Sequence, residues 1–224
     1  MAVALDLFCG AGGAAMGLHR SGLFDRIVGV DIEPQPDYPF EFFQGDAMTF
    51  SNLYNFDFVW ASPPCERYSA TMTLNAARGN FHVIKESYPD LVDPTGQMLA
   101  GHPWTAIENV PGAGLRPDIV LEGGNVGIAH LKRRRHFEVS WDTLSPKPMH
   151  VAPTFIQAYG HGTVSMSMMD NRERAGLPRT TRVSEIQDAF DVKWVDDRRK
   201  LNRMVVPAYA RYVVEDAVRH GFGA

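Results

Sequence analysis

Cysteine is almost missing: the 224-residue chain carries only Cys9 and Cys65. They fall in separate motifs, so no disulfide framework is expected, and a reducing cytosol is the natural setting. No apolar run approaches the ~20 residues of a membrane span, and the amino terminus lacks the charged region of a signal peptide. Internal repeats and low-complexity tracts are also lacking. Positive charge is not in excess either, since the formal net charge is -4. What remains is a chain that is 45% hydrophobic and long enough to bury a substantial core, expected as one cytoplasmic globular domain with a small appendage.

The charge is unevenly placed. Residues 1–129 hold 6 Lys+Arg and 15 Asp+Glu, a balance of -9, whereas residues 130–224 hold 16 and 11, a balance of +5. An acidic half followed by a basic one predicts that a polyanion meets mainly the carboxyl-terminal part.

Short apolar runs alternate with helix-like stretches through residue 139, which predicts a βαβ pattern and a largely parallel sheet. Sequence rich in Pro, Gly and Ser from about Ser140 to Thr181 breaks the rhythm, and helical character then resumes. The boundaries expected are residues 1–139 for an α/β domain, 140–181 for an irregular insert and 182–224 for a segment packing back on the domain.

The first strand, Val3-Ala4-Leu5-Asp6-Leu7-Phe8, runs into Cys9-Gly10-Ala11-Gly12-Gly13. Glycines between a strand and a helix let a ligand approach the backbone and leave the helix amino terminus facing it. A second strand, Arg26 to Val30, ends at Asp31, where a carboxylate can accept from ribose hydroxyls. The pair predicts an adenosine-type cofactor. Gly10-Ala11-Gly12-Gly13-Ala14-Ala15 also satisfies the dinucleotide fingerprint, so a nicotinamide enzyme stays open at this point. After a third strand, Phe40 to Phe43, Asp46 is placed to accept from an adenine amino group, although Gly45-Asp46 is also an ordinary turn pair.

Three further edges carry chemistry. The strand Phe56 to Trp60 ends in Ala61-Ser62-Pro63-Pro64-Cys65-Glu66-Arg67-Tyr68-Ser69. Two prolines stop the strand and fix the backbone before the thiol, which suits an aimed nucleophile. Trp104 to Ile107 leads to Glu108-Asn109-Val110, and a carboxyl held partly dry at a strand end suits a proton donor. Arg133-Arg134-Arg135 reads as extended, so Arg133 and Arg135 are expected on one face, able to hold a carbonyl oxygen and phosphates, with Arg134 on the other.

Taken together, these motifs resemble the DNA (cytosine-5) methyltransferases. Asp6-Leu7-Phe8-Cys9-Gly10-Ala11-Gly12-Gly13 is similar to the cofactor motif of that family, Pro63-Pro64-Cys65 to its nucleophile motif, Glu108-Asn109-Val110 to its acid motif, and Arg133-x-Arg135-x-Phe137 to its arginine motif. Arg182 to Phe190 and Leu201 to Pro207 are similar to its last two motifs, and the matches run in family order from residue 5 to about 218. The resemblance implies a Rossmann-like fold of the kind used with S-adenosylmethionine, mostly parallel and flanked by helices, with a small irregular insert.

It also implies roles. Cys65 attacks carbon 6 of a flipped cytosine, Glu108 handles the proton at N3, Arg135 holds O2, and Arg133 joins them in the catalytic set. Phe8, Gly10, Gly12, Asp31, Ile32, Asp46, Pro63 and Asn202 surround S-adenosylmethionine, and no metal is involved. Ser69, Arg134, Arg172, Arg174 and Arg179, with Tyr159 to Gly162, are the expected contacts to double-stranded DNA. A monomer in a bacterial or phage-infected cell fits so compact a chain.

Four departures stand out. Glu66 occupies the usual place of a Gln after the nucleophile, His130 or Leu131 that of a Gln before the arginines, and Leu201 that of a glycine. About forty residues between Phe137 and Arg182 replace a much larger recognition region. An insert this small offers few base contacts, at ~1–3 kcal/mol for each good bidentate one, so a short or relaxed target is expected. Met166 to Met169 reads as adaptable core. Glu66 to Gly101 reads as a loop that closes over the base. An RNA-directed enzyme or a catalytically silent nucleic-acid-binding relative is the competing class.

Overall fold

The computed structural model describes residues 2–68, 88–156, 158 and 166–223. Seven strands form one sheet: β1 (Ala2–Leu7), β2 (Phe24–Asp31), β3 (Glu41–Gln44), β4 (Phe58–Ala61), β5 (Thr105–Asn109), β6 (Ile119–Leu121) and β7 (Arg135–Val139). Their spatial order is β3-β2-β1-β4-β5-β7-β6. All pairings are parallel except those of β7, which runs against both β5 and β6. This is the Rossmann-like α/β arrangement, a mostly parallel sheet with helices on its faces.

The central strands are short apolar runs because both faces are covered, as parallel sheets require. Ala4, Phe58, Trp60, Ala106 and Phe137 look into one core, and Leu5, Leu7, Val28, Val30, Val59 and Ile107 into the other. The first core is closed by α1 (Gly13–Arg20) and by the last helix, α6 (Pro207–Arg219). On α6 the buried residues Tyr209, Ala210, Val213, Val214 and Ala217 recur at helical spacing. Glycines set how near α1 and α6 approach. A Cβ on Gly13 would stand 2.1 Å from the Val205 carbonyl oxygen, and one on Gly17 2.2 Å from that of Pro207. The second core is covered by α2 (Val92–Leu99) and by the 3-10 turn Ala47–Thr49.

The βαβ rhythm read from the sequence holds only in part. No helix follows β2, and the β3–β4 connection consists of two 3-10 turns, Ala47–Thr49 and Leu53–Asn55. β6 was not anticipated: three residues after Pro117 give too short a run to show a period. Of Glu66 to Gly101, residues 69–87 lie outside the described residues, and the remainder is not an open loop, since it contains α2.

Past β7, residues 140–156 carry no helix or named strand, and further along the chain come α3 (Met166–Arg174), α4 (Val183–Phe190) and α5 (Arg198–Arg203), then α6. Trp141 donates from its indole nitrogen to Asp216 of α6 at 2.9 Å, which pins the start of that stretch to the domain. In the Met run, Met168 is buried and Met166 is exposed, so only part of it serves as core.

Candidate active site

The glycine turn after β1 is built by unusual backbone. Phe8 has φ +57°, followed by Gly10 at +49° and Gly12 at +85°. A bulky residue in the left-handed region is strained, and such strain concentrates at functional sites. The surroundings hold it there. Cys9 N–H donates to the Val30 carbonyl at 3.1 Å, Gly12 N–H to the Cys9 carbonyl at 3.0 Å, and Gly10 N–H to Asp31 Oδ2 at 2.8 Å. Trp194, in the link between α4 and α5, donates its indole N–H to the Ala11 carbonyl at 2.9 Å.

Asp31 receives a second bond from Glu33 N–H at 2.9 Å. A carboxylate offers about four acceptor positions, so each oxygen keeps one for a ribose hydroxyl. Ile32 beside it is 67% exposed, an apolar face open at the sheet edge. Asp46 caps its 3-10 turn through Oδ1, which accepts from Met48 N–H at 2.9 Å, and its side chain is exposed. Asn202 Oδ1 is buried with no partner among the described residues. Spare acceptors, an open apolar face and an orphaned amide oxygen are what an adenosine-type cofactor would engage, so these residues fit S-adenosylmethionine.

Under the turn lies Asp6, fully buried. Its Oδ2 accepts from Ala15 N–H at 3.2 Å and from the Tyr38 hydroxyl at 3.5 Å, while Oδ1 has no partner among the described residues. Burial pushes its carboxyl up to about 8.

Cys65 follows β4. Ser62 N–H returns to the Leu7 carbonyl at 3.1 Å, the Trp60 indole donates to Ser62 Oγ at 2.8 Å, and Asn109 Nδ2 donates to the Pro63 carbonyl at 2.9 Å. The Pro63–Pro64 step is thereby anchored to β1 and β5, which fixes the thiol. On β5, Glu108 is buried and its Oε1 is 2.7 Å from Arg135 Nε on the neighbouring antiparallel strand. The three groups come from adjacent strand ends. The charges of Arg135, Glu108, Glu66 and Arg133 all act on the sulfur. Burial is the largest influence and pushes the Cys65 thiol up; Arg135 opposes it, while Glu108 and Glu66 add to it. Arginine thus favours the thiolate but is outweighed by desolvation.

Arg133 does not share a substrate-facing side with Arg135. β7 begins only at Arg135, so the alternation assumed for three arginines does not apply. Arg133 is buried. Its guanidinium donates to the Ala158 carbonyl and, at 2.8 Å each, to the carbonyls of Asn202 and Met204, and its own carbonyl accepts from the Tyr209 hydroxyl at 2.8 Å. Arg133 therefore ties the insert, the end of α5 and α6 together, and its expected catalytic place beside Arg135 is corrected to an organising one. Desolvation and the charge of Arg135 weaken its hold on its proton.

Of the expected nucleic-acid contacts, Arg172 is a correction. It is fully buried, donating to the carbonyls of Pro178 at 2.5 Å and Phe155 at 2.6 Å and to both carboxylate oxygens of Glu185 at 2.8 and 3.0 Å. It is the internal strut of the insert and cannot reach a phosphate. Arg134 is exposed and pairs with Glu122 at 3.1 Å, Arg179 pairs with Glu173 at 3.2 Å, and Arg174 is exposed. Ser69 and Tyr159 to Gly162 lie outside the described residues.

Three participants escaped the sequence reading: Trp194 on the glycine turn, Lys200 paired with Asp37 at 2.6 Å, and Arg203, 3.5 Å from Glu66. Only Arg203 had a sequence signal, its place next to Asn202.

No protein-family model matches the sequence, and no curated protein matches it. Solved structures do match in shape. DNMT2 from Spodoptera frugiperda, crystallised as a mutant, is 13% identical with a TM-score of 0.64, over 97% of this chain and 100% of that one. The methyltransferase EhMeth from Entamoeba histolytica is 11% identical with a TM-score of 0.59, over 98% of each chain. The Dnmt2 methyltransferase of S. pombe is 13% identical with a TM-score of 0.59, over 99% of each. At such identities the likeness establishes the fold.

Proposed function

We propose that this chain transfers a methyl group from S-adenosylmethionine to carbon 5 of a cytosine in nucleic acid, with double-stranded DNA as the substrate, through a covalent Cys65 adduct. The observation that carries the reading is the meeting of Cys65, Glu108 and Arg135 at adjacent strand ends, in a fold shared with methyltransferases. A nicotinamide enzyme would leave that trio without a task.

Carbon 6 of cytosine is a poor electrophile, so attack needs both a thiolate and a sink for electrons. Cys65 gives up its proton and forms the C6–S bond while Glu108 supplies a proton at N3 and Arg135, joined to Glu108, holds O2. The electron pair of the C5–C6 bond becomes available at carbon 5. S-adenosylmethionine, when bound, supplies an electrophilic methyl group on a sulfonium. After transfer the C5 proton leaves to a base, the C6–S bond breaks with its electrons returning to Cys65, and N3 gives its proton back to Glu108. The Asp31, Ile32, Asp46 and Asn202 set positions the donor beside the thiol. Reaching a site at the sheet edge requires the base to leave its stack, at a few kcal/mol.

The test is incubation of the wild type and Cys65→Ala with radiolabelled S-adenosylmethionine and duplex DNA, single-stranded DNA or RNA. Label on duplex DNA that disappears in Cys65→Ala supports the reading. Label on RNA alone would replace the substrate, and no label on any nucleic acid would reject the activity.

A further inference from the structure

Arg199 and Arg203 lie one turn apart on α5, on the same helix side. The other cations of α5 are committed elsewhere: Arg198 donates to the Thr181 carbonyl at 2.5 Å and Lys200 pairs with Asp37 at 2.6 Å. Asp197, two residues before Arg199, caps the helix by accepting from Arg199 N–H and Lys200 N–H. Arg199 is exposed, and its side chain has no partner among the described residues. Among the described residues, Arg203 has an ion pair with Glu66, with nitrogen and oxygen 3.5 Å apart and 58% of the arginine side chain exposed. A contact that long and wet is worth little. It leaves most of a five-donor guanidinium available.

The position of Arg203 is not loose. Arg133 donates to the carbonyls on either side of it, those of Asn202 and Met204, and so fixes its backbone from the interior. Its side chain meets Glu66, the residue directly after the nucleophile. Arg203 meets Glu66 at the rim of the Cys65 site, and Arg199 stands one turn away on the same helix side, in the basic half of the chain; two guanidiniums so spaced match the charge of a phosphodiester.

We propose that Arg199 and Arg203 form a phosphate clamp that holds the backbone of the strand delivering the target base. This deepens the methyltransferase reading and rests on it. Glu66 stays beside the clamp as the anion that phosphate must compete with.

The experiment measures binding of a fluorescent cytosine-containing duplex against salt for the wild type, Arg199→Ala, Arg203→Ala, the double variant and Arg26→Ala. Arg26 pairs with Glu41 on an outer strand and serves as the control. Each clamp substitution is expected to reduce the slope of log affinity against log salt by about 0.9, and the double variant by about twice that. Arg26→Ala keeps the wild-type slope. Lysine at 199 or 203 restores it, since charge is retained, and binding of S-adenosylmethionine by calorimetry stays unchanged throughout. If the alanine variants keep the wild-type slope while the wild type still transfers label, the clamp is wrong and the activity stands. If the wild type neither binds nor labels nucleic acid, the activity falls and the clamp with it.

Discussion

Arg135 Nε stands 2.7 Å from Glu108 Oε1 across the β5–β7 pair, with 16% and 9% of the two side chains exposed. The residues belong to neighbouring strands in antiparallel register, so the sheet itself brings cation and acid together. Removing one partner leaves the other charged and nearly dry, a cost of about 3–5 kcal/mol.

Glu108→Gln keeps the shape and a hydrogen-bonding oxygen but cannot deliver a proton. Transfer is expected to fall by about 10²–10⁴-fold. Arg135→Ala is expected to lose both activity and melting temperature, because Glu108 is then stranded. Single-turnover transfer and thermal unfolding of the two variants check this, and an active Glu108→Gln would contradict the assigned role.

Cys65 is held protonated by its surroundings, burial first. Its alkylation by iodoacetamide, followed by mass spectrometry to separate it from Cys9, is expected to rise with pH to a midpoint above the ~8.5 of a free thiol. Glu66→Gln removes one of the anions that disfavour the thiolate and is expected to move the midpoint down. An unchanged midpoint would show that Glu66 does not act on the sulfur.

Asp6 affects stability in the opposite sense to an ion-paired carboxylate. Its folded value is raised from 3.8 to about 8 by burial, so the folded state favours the protonated form. That contribution to stability is full below pH 4 and is lost as pH rises through about 8. The wild type is therefore expected to lose melting temperature between pH 5 and 9 more steeply than Asp6→Asn, which can still accept from Ala15 and Tyr38. Parallel slopes for the two proteins would refute the assignment.

Arg172→Met is expected to destabilise strongly, by about 3–5 kcal/mol, since the carbonyls of Phe155 and Pro178 and the Glu185 carboxylate lose their donor together. Denaturant unfolding measures this. Arg174→Ala, on an exposed side chain of the same helix, is expected to stay within about 0.5 kcal/mol of the wild type.

These residues also show what the sequence could disclose. The turn from Asp6 to Gly13, the prolines before Cys65 and the acid at the end of β5 are local chemistry. Each sits where a short apolar run stops, so strand, edge and candidate group are legible together. Arg133 and Arg172 are not legible in that way. Their partners are carbonyls up to 71 residues distant, and nothing in a basic tripeptide or a polar helix says that its arginine turns inward. Gly13 belongs by sequence to a ligand-binding turn, yet its tightest constraint, like that of Gly17, is the close approach of α1 to α6 and the residues before it, a packing relation that no spacing within the turn reveals.

The central claim is a covalent bond between Cys65 and carbon 6 of the base. A duplex carrying 5-fluorocytosine tests it directly, because fluorine at carbon 5 cannot leave as a proton does and the adduct cannot resolve. With S-adenosylmethionine present, the wild type is expected to form a denaturation-resistant complex whose cross-linked peptide contains Cys65, and Cys65→Ala is expected to form none. An enzyme that methylates ordinary duplex yet yields no such complex, or a Cys65→Ala variant that still transfers methyl groups, would contradict the account.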